Sequence, residues 1–280
     1  MPMLKVDHSQ LYYSAMGRGP ACLVMHGGLG VDHTWLHPWL DPVSDLMKLV
    51  YYDHRGNGRS TCEDPASISI ETLCADAEAL RAHLGEERVG LIGHAYGALV
   101  AMQYALEHPH RVSHLVLLGA APRLNFAQFG LAAQRRGASE RQLAVLSRLA
   151  SGSDDEFGEA LQELLPLYLH KPHGDEYQRF ASRTRWSAAA FRRGAEVAAR
   201  FDLTPRLGEI QAPTLIVAGD DDAITPIERA EVLHRGIPNS ELYIIPRSGH
   251  VPHFEQPEPF LWVVRGWLAK QFSPARRRLH

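Results

Sequence analysis

The sequence predicts an α/β protein: a mostly parallel sheet covered by helices on both faces, with a helical segment inserted late in the chain. Three observations predict it. Apolar runs of strand length alternate with longer stretches whose apolar residues recur at helical spacing. The middle runs are apolar almost throughout, as strands buried on both faces are. Between about Ala121 and Arg206 the alternation stops, and only helical patterns remain.

The strands follow in order. "LYYSAMG" from Leu11, "ACLVMHGG" from Ala21 and "LMKLVYYDHRG" from Leu46 come first. "ISIETLCADAEALRAHLG" then places apolar residues on one helical face and stops at Gly85, a common helix-ending residue. "RVGLIGH" from Arg88 is a buried strand, and "AYGALVAMQYALEHP" is a helix so apolar that it must be buried, ended by Pro109. "RVSHLVLLGAA" from Arg111 closes the first block. In the insert, "SERQLAVLSRL" and "SDDEFGEALQELL" each open with a Ser-x-x-Gln/Glu capping pattern, and "SAAAFRRGAEVAARF" from Ser187 is a third helix. "PTLIVAGD" from Pro213 and "ELYIIPRSGH" from Glu241 return to the sheet. The predicted organisation is a core of residues 1–120 and 207–280 with an inserted helical lid over 121–206.

Composition narrows the function classes. The 280 residues are 45% hydrophobic and 22% charged, with a formal net charge of −3. That balance gives no reason to expect nucleic acid or an anionic membrane as a partner, and the basic C-terminal "PARRRLH" reads as a solvated tail. Cys22, Cys62 and Cys74 stand at no metal-ligand spacing, no metal or organic cofactor is expected, and no stretch approaches a membrane span. With no apolar signal core at the N-terminus, a cytoplasmic protein is expected. Its oligomeric state is not legible.

The chemistry collects at strand ends. "GHAYGAL" (93–99) follows a strand and opens a helix, the context of the sharp turn that displays a nucleophile, with Gly93 and Gly97 flanking the central residue. That residue is Ala95, which carries no hydroxyl. "MHGGLG" follows an earlier strand, where the backbone N–H of Gly28, with that of Tyr96, would face a developing oxyanion. "VAGDDDAITP" offers Asp222, three residues after Gly219 and four before Pro226. "IIPRSGHVPHFEQPE" offers His250 directly after Gly249, with His253 as its only nearby competitor. Nucleophile position, acid and base thus occur in that chain order. His26 reads as a brace of its loop, and His94 as lining or supporting the turn.

On "HGGLGVDHTWL", "YYDHRGNGRS", "GHAYGAL", "GDDDAITP" and "GHVPHFEQPE", the chain resembles the α/β-hydrolase superfamily over nearly its whole length, and within it the proline-iminopeptidase-like group. The resemblance implies about eight strands, a helical lid above the site, serine at position 95, Asp222 as acid and His250 as base. The base would take the nucleophile's proton and later deliver it to the leaving group, while the acid fixes its tautomer. Ala95 then has three readings: an engineered replacement of serine made to stop turnover, a natural loss in a ligand-binding relative, or a His–Asp dyad enzyme of lyase or cofactor-free oxygenase type. The intact remainder of the constellation favours the first.

The substrate, a small molecule, is less legible. An iminopeptidase should offer acids to a free amino end, and Glu196, Asp202, Asp154/Asp155 and Asp175/Glu176 are available. Leu29 stands where peptidases of this group usually have proline, and Tyr96 where they often have tryptophan. Both departures favour an esterase or lactonase for a small apolar substrate. Trp35 is a candidate pocket wall, and Phe126, Phe129, Leu131, Leu164, Tyr168, Trp186 and Phe191 would either line an acyl pocket or form the lid's own core.

Overall fold

One eight-stranded sheet organises the chain. It is seen in a computed structural model that describes residues 2–124, 126–149, 151–172 and 176–272. The strands are β1 (Met3–Val6), β2 (Ser9–Met16), β3 (Ala21–Met25), β4 (Lys48–Tyr52), β5 (Val89–His94), β6 (Val112–Leu118), β7 (Thr214–Gly219) and β8 (Ser240–Ile245), in spatial order β1-β2-β4-β3-β5-β6-β7-β8. β2 runs antiparallel to both its neighbours, and every pair from β4 to β8 is parallel. The predicted fold class therefore stands. The strand absent from the sequence reading is β1, a half-exposed edge of four residues whose "MLKV" is too short to give a periodic signal.

The central strands β3, β5 and β7 are buried at every residue, which is why they read as continuous apolar runs. Alternate side chains feed two cores. Leu23, Met25, Leu91, Leu115 and Ile216 face α1 (Ile70–His83), α2 (Tyr96–Glu107) and, through Ala230 and Leu233, a helix that follows β7. Cys22, Val24, Ile92, Val116 and Val217 face Leu36, Leu40 and Val43 and the C-terminal helix bearing Phe260, Val264 and Trp267. Ser69 caps α1, its hydroxyl accepting from the Thr72 amide while the Thr72 side chain returns to the Ser69 amide.

Between β6 and β7 lie α3 (Phe126–Arg135), α4 (Glu140–Arg148), α5 (Asp154–Leu164), α6 (Glu176–Ala181) and α7 (Ala188–Ala198). The capping boxes expected at Ser139 and Ser153 open α4 and α5. The short α6 and the strand-adjacent α3 carry no cap signal that the sequence reading found. At its root the insert closes on itself: the Leu203 amide donates to the Pro122 carbonyl at 2.9 Å. After β7 come α8 (Ile227–Gly236), α9 (Pro252–Glu255) and α10 (Pro257–Gln271). Among the described residues no helix is long and apolar enough to cross a membrane.

Candidate active site

Ala95 occupies a backbone conformation that alanine rarely adopts, φ +49° and ψ −109°, at the junction of β5 and α2. Such a turn costs on the order of 1–3 kcal/mol and persists only where its surroundings enforce it. Here they do. The Ala95 amide donates to the Leu118 carbonyl on β6, and the Ala98 amide returns to the Ala95 carbonyl. A Cβ on Gly97 would stand 2.2 Å from the Met25 carbonyl oxygen, and one on Gly93 would stand 2.6 Å from the Gly97 carbonyl oxygen. Both flanking positions therefore exclude every side chain.

Asp222 and His250 meet beside this turn. The His250 Nδ1 lies 2.8 Å from the Asp222 Oδ2, with both side chains buried. Asp222 is saturated: Oδ1 accepts from the Ile224 and Thr225 amides, and Oδ2 also accepts from the Thr225 hydroxyl at 2.7 Å. A carboxylate held in this way accepts a hydrogen bond from the Nδ1–H of the imidazole, which fixes the tautomer and leaves Nε2 with its lone pair free to accept a proton. His250 and Ala95 line one cavity of about 70 Å³.

Gly28 and Tyr96 line the same cavity. Tyr96 is the first residue of α2, where an amide has no partner inside its helix, and Gly28 holds φ +81° in the loop after β3. Neither amide has a protein acceptor among the described hydrogen bonds. The rest of the wall is His94, the ring of Tyr168 and the apolar side chains of Leu29, Val31, Trp35, Leu124, Phe129, Phe157, Leu161, Phe191 and Ile224.

Of the three predicted pocket residues, Trp35 and Tyr168 reach the cavity and Trp186 does not. Trp186 packs against Gly158 of α5, whose missing side chain makes room for the indole, and its ring meets Phe157 edge-on. Leu131 and Leu164 are also absent from the wall, the first exposed and the second in the insert's own core, while the Phe126 side chain lies outside the described residues. Sequence reasoning missed Thr225, although it stands inside the quoted "GDDDAITP", and it missed Phe157, Leu161 and Ile224.

The other histidines have structural partners. His26 bonds the Gly27 carbonyl and accepts from the His54 amide, bracing the loop that carries Gly28. His94 bonds the His250 carbonyl at 3.0 Å. His253 bonds the Trp35 carbonyl, and burial pushes its imidazole down to about 4. It is absent from the cavity wall. Among the described residues one cluster has metal-ligand character: Asp32, His33 and Asp53, all buried. Its carboxylates already accept from the His33 ring and amide, the Arg59 and Arg185 amides and Thr34, and the Arg59 guanidinium stands 3.4 Å from Asp32. The cation there is an arginine.

A family profile described as the alpha/beta hydrolase fold matches residues 20–257. The chain belongs to the α/β-hydrolase fold family. Among curated relatives, it is 26% identical to the proline iminopeptidase PfmaB of Pestalotiopsis fici, over 95% of this chain and 99% of that one. It is 30% identical to the putative carbamate hydrolase RutD of Variovorax paradoxus, over 91% of this chain and 96% of that one. Among solved α/β-hydrolase structures, a thermophilic esterase from Thermogutta terrifontis superposes with a TM-score of 0.80 at 25% identity, covering 98% of this chain and all of the other.

Proposed function

We propose that this chain is the scaffold of a serine hydrolase for small, apolar carboxylic esters or lactones, with alanine standing where the nucleophilic serine would be. One observation carries the reading: His250, paired with Asp222, shares with Ala95 a cavity whose wall, His94 and His250 apart, is mostly apolar and holds no carboxylate among the described residues. With serine at 95, His250 Nε2 would take the hydroxyl proton as Oγ attacks the acyl carbon. The Gly28 and Tyr96 amides would hold the oxyanion, and the leaving alcohol would receive the proton from His250. Water would then repeat the sequence and free the acid. The insert, residues 121–206, would be the lid of this site, since Phe129, Phe157, Leu161, Tyr168 and Phe191 all come from it.

The cavity's size and lining support an ester over a peptide. About 70 Å³ takes a handful of water-sized groups, enough for a short acyl chain. The acids that might bind a free amino end are used elsewhere or stand apart. Glu196 pairs with Arg193, Asp202 faces Arg123 and Asp154 caps the Ala188 amide; Asp175 lies outside the described residues, as does the Glu176 side chain. The second reading, an iminopeptidase-type aminopeptidase or amidase, is favoured by the likeness to the Pestalotiopsis protein over nearly its whole length. The third, a binding protein or dyad enzyme, draws only on Ala95 itself.

The deciding experiment is Ala95→Ser followed by a fluorophosphonate probe, which asks whether a serine is activated without guessing the substrate. Labelling of the serine form alone, abolished by His250→Ala, is expected. A folded Ala95→Ser protein that does not label would overturn the proposal. Short-chain aryl esters should then be hydrolysed faster than proline-naphthylamide, and the reverse ranking would establish the peptidase reading.

A further inference from the structure

Beside the cavity, three residues of the insert, 168–170, run alongside both loops that carry Asp222 and His250. The His250 amide donates to the Tyr168 carbonyl at 2.7 Å, and a Cβ on Gly249 would stand 2.1 Å from that same oxygen. The insert is therefore in backbone contact with the base loop. Glu255, the last residue of α9, closes this contact from the other side. Its Oε1 accepts from the His170 amide and its Oε2 from the Gly249 amide, each at 2.6 Å. The carboxylate is half-buried, and none of the described salt bridges involves it, so two backbone amides are its partners.

The same stretch is tied to the acid loop. The His170 ring lies 3.0 Å from the Asp221 carboxylate. Arg136, directly after α3, donates to the carbonyls of both Leu169 and Asp221 at 2.5 Å and pairs with the Asp221 side chain at 3.1 Å. Asp221 is the neighbour of Asp222, and its own amide donates to the Ser248 carbonyl, two residues before His250. His170 is thus held by its backbone to the base side and by its ring to the acid side.

We propose that Glu255 is a positioning residue: by accepting from His170 and Gly249 together, it fastens the insert to the base loop and keeps His250 in register with Asp222 and position 95. It never touches a substrate, since it is not part of the cavity wall. Its effect passes through Gly249 to His250 and through His170 to Tyr168, whose ring lies 5.7 Å from that of His250 and lines the cavity. Removing the carboxylate leaves two amides without their acceptor and lets the two segments part. Proton transfer and attack are sensitive to displacements of about 1 Å, which cost up to roughly a hundredfold in rate. The catalytic part of this inference rests on the serine-hydrolase reading; the mechanical part does not.

The test therefore has two arms, using Glu255→Gln and Glu255→Ala. Glu255→Gln keeps the shape and one of the two acceptors, so it retains the fold and should lie between the other two forms. In the chain as it stands, amide hydrogen exchange at 168–170 and at 249–250 should accelerate together, about tenfold or more in Glu255→Ala, with the amides of α1 unchanged. Acceleration on one side only, or on neither, overturns the inference. In the Ala95→Ser background, kcat on an aryl ester should fall about tenfold or more in Glu255→Ala, recover in part in Glu255→Gln, and leave KM within about threefold. A lowered Tm with unchanged kcat well below that temperature would mean that Glu255 only stabilises the fold, and would overturn the positioning role. Should Ala95→Ser prove inert, the functional reading falls, while the exchange arm still decides whether the fastening exists.

Discussion

Thr225 shows how much of a site can rest on one hydroxyl. Its Oγ1 donates to the same Asp222 oxygen that faces His250, and stands 3.3 Å from the His250 Nδ1. A hydrogen bond to a charged group contributes about 1.5–3 kcal/mol. In the Ala95→Ser background, Thr225→Val is expected to lower kcat/KM by about tenfold or more, read with an aryl ester; an unchanged value would mean that the two backbone amides alone hold the acid. Gly97 is constrained by space, not by conformation. Gly97→Ala forces a methyl against the Met25 carbonyl, and a loss of about 3 kcal/mol or more is expected in urea unfolding. At this scale the sequence was informative wherever function sits in a local motif: Ala95, Asp222 and His250 each stand at a strand end marked by glycine. It was uninformative where a helix must choose which side faces the cavity. Trp186 was a candidate for the wall and Phe157 was not, whereas in the folded chain Phe157 lines the cavity and Trp186 packs against Gly158.

Single elements depend on contacts that no local pattern announces. The loop after β4 is pinned to α1 by Arg55, whose Nε and Nη2 grip both oxygens of Asp76 at 2.7 and 2.6 Å, with both side chains nearly closed to solvent. Breaking a buried pair by removing one charge costs about 3–5 kcal/mol, because the other charge is left uncompensated. Asp76→Asn should therefore lower the urea midpoint strongly, and Arg55→Met combined with Asp76→Leu should recover much of the loss. If the double variant is as weak as the single one, the guanidinium has a further role in holding this loop. The quoted "YYDHRGNGRS" contained Arg55, and the helix pattern contained Asp76, yet 21 residues separate them and nothing in either stretch names the other. The parallel strands were legible for the opposite reason: burial on both faces writes itself into every position, whereas the exposed edge β1 writes almost nothing.

The whole molecule carries an unusual load of neutral histidine. His26, His54, His94, His114 and His253 are all fully buried, and burial holds each imidazole below its ordinary range, His114 and His253 at about 4. Unfolding returns each ring to a value near 6.5, so between the two values the unfolded chain binds more protons than the folded one. Stability from these rings is complete above about pH 6.5 and is lost as pH falls toward 4, by up to about 1.4 kcal/mol per pH unit for each ring. Tm should therefore drop steeply between pH 7 and 5. His114 lies against Trp267 and Phe272, on the face opposite α1 and α2, so His114→Asn should make that slope shallower. A slope unchanged by it would mean that the ring titrates alike in both states. Sixteen histidines were countable in the sequence, but which of them are sealed away depends on the packed sheet.

The single hydrogen bond between Leu203 and Pro122 has an evolutionary side. Because the chain leaves and re-enters the sheet at neighbouring points, β6 and β7 experience everything between them as if it were one tight connection. Residues can be gained, lost or exchanged there without altering the spacing of the strands, provided that Arg136 and 168–170 keep their bonds to the acid and base loops. Selection can therefore act on most of the insert without disturbing the sheet, while the short stretch that grips the acid and base loops has to change together with them.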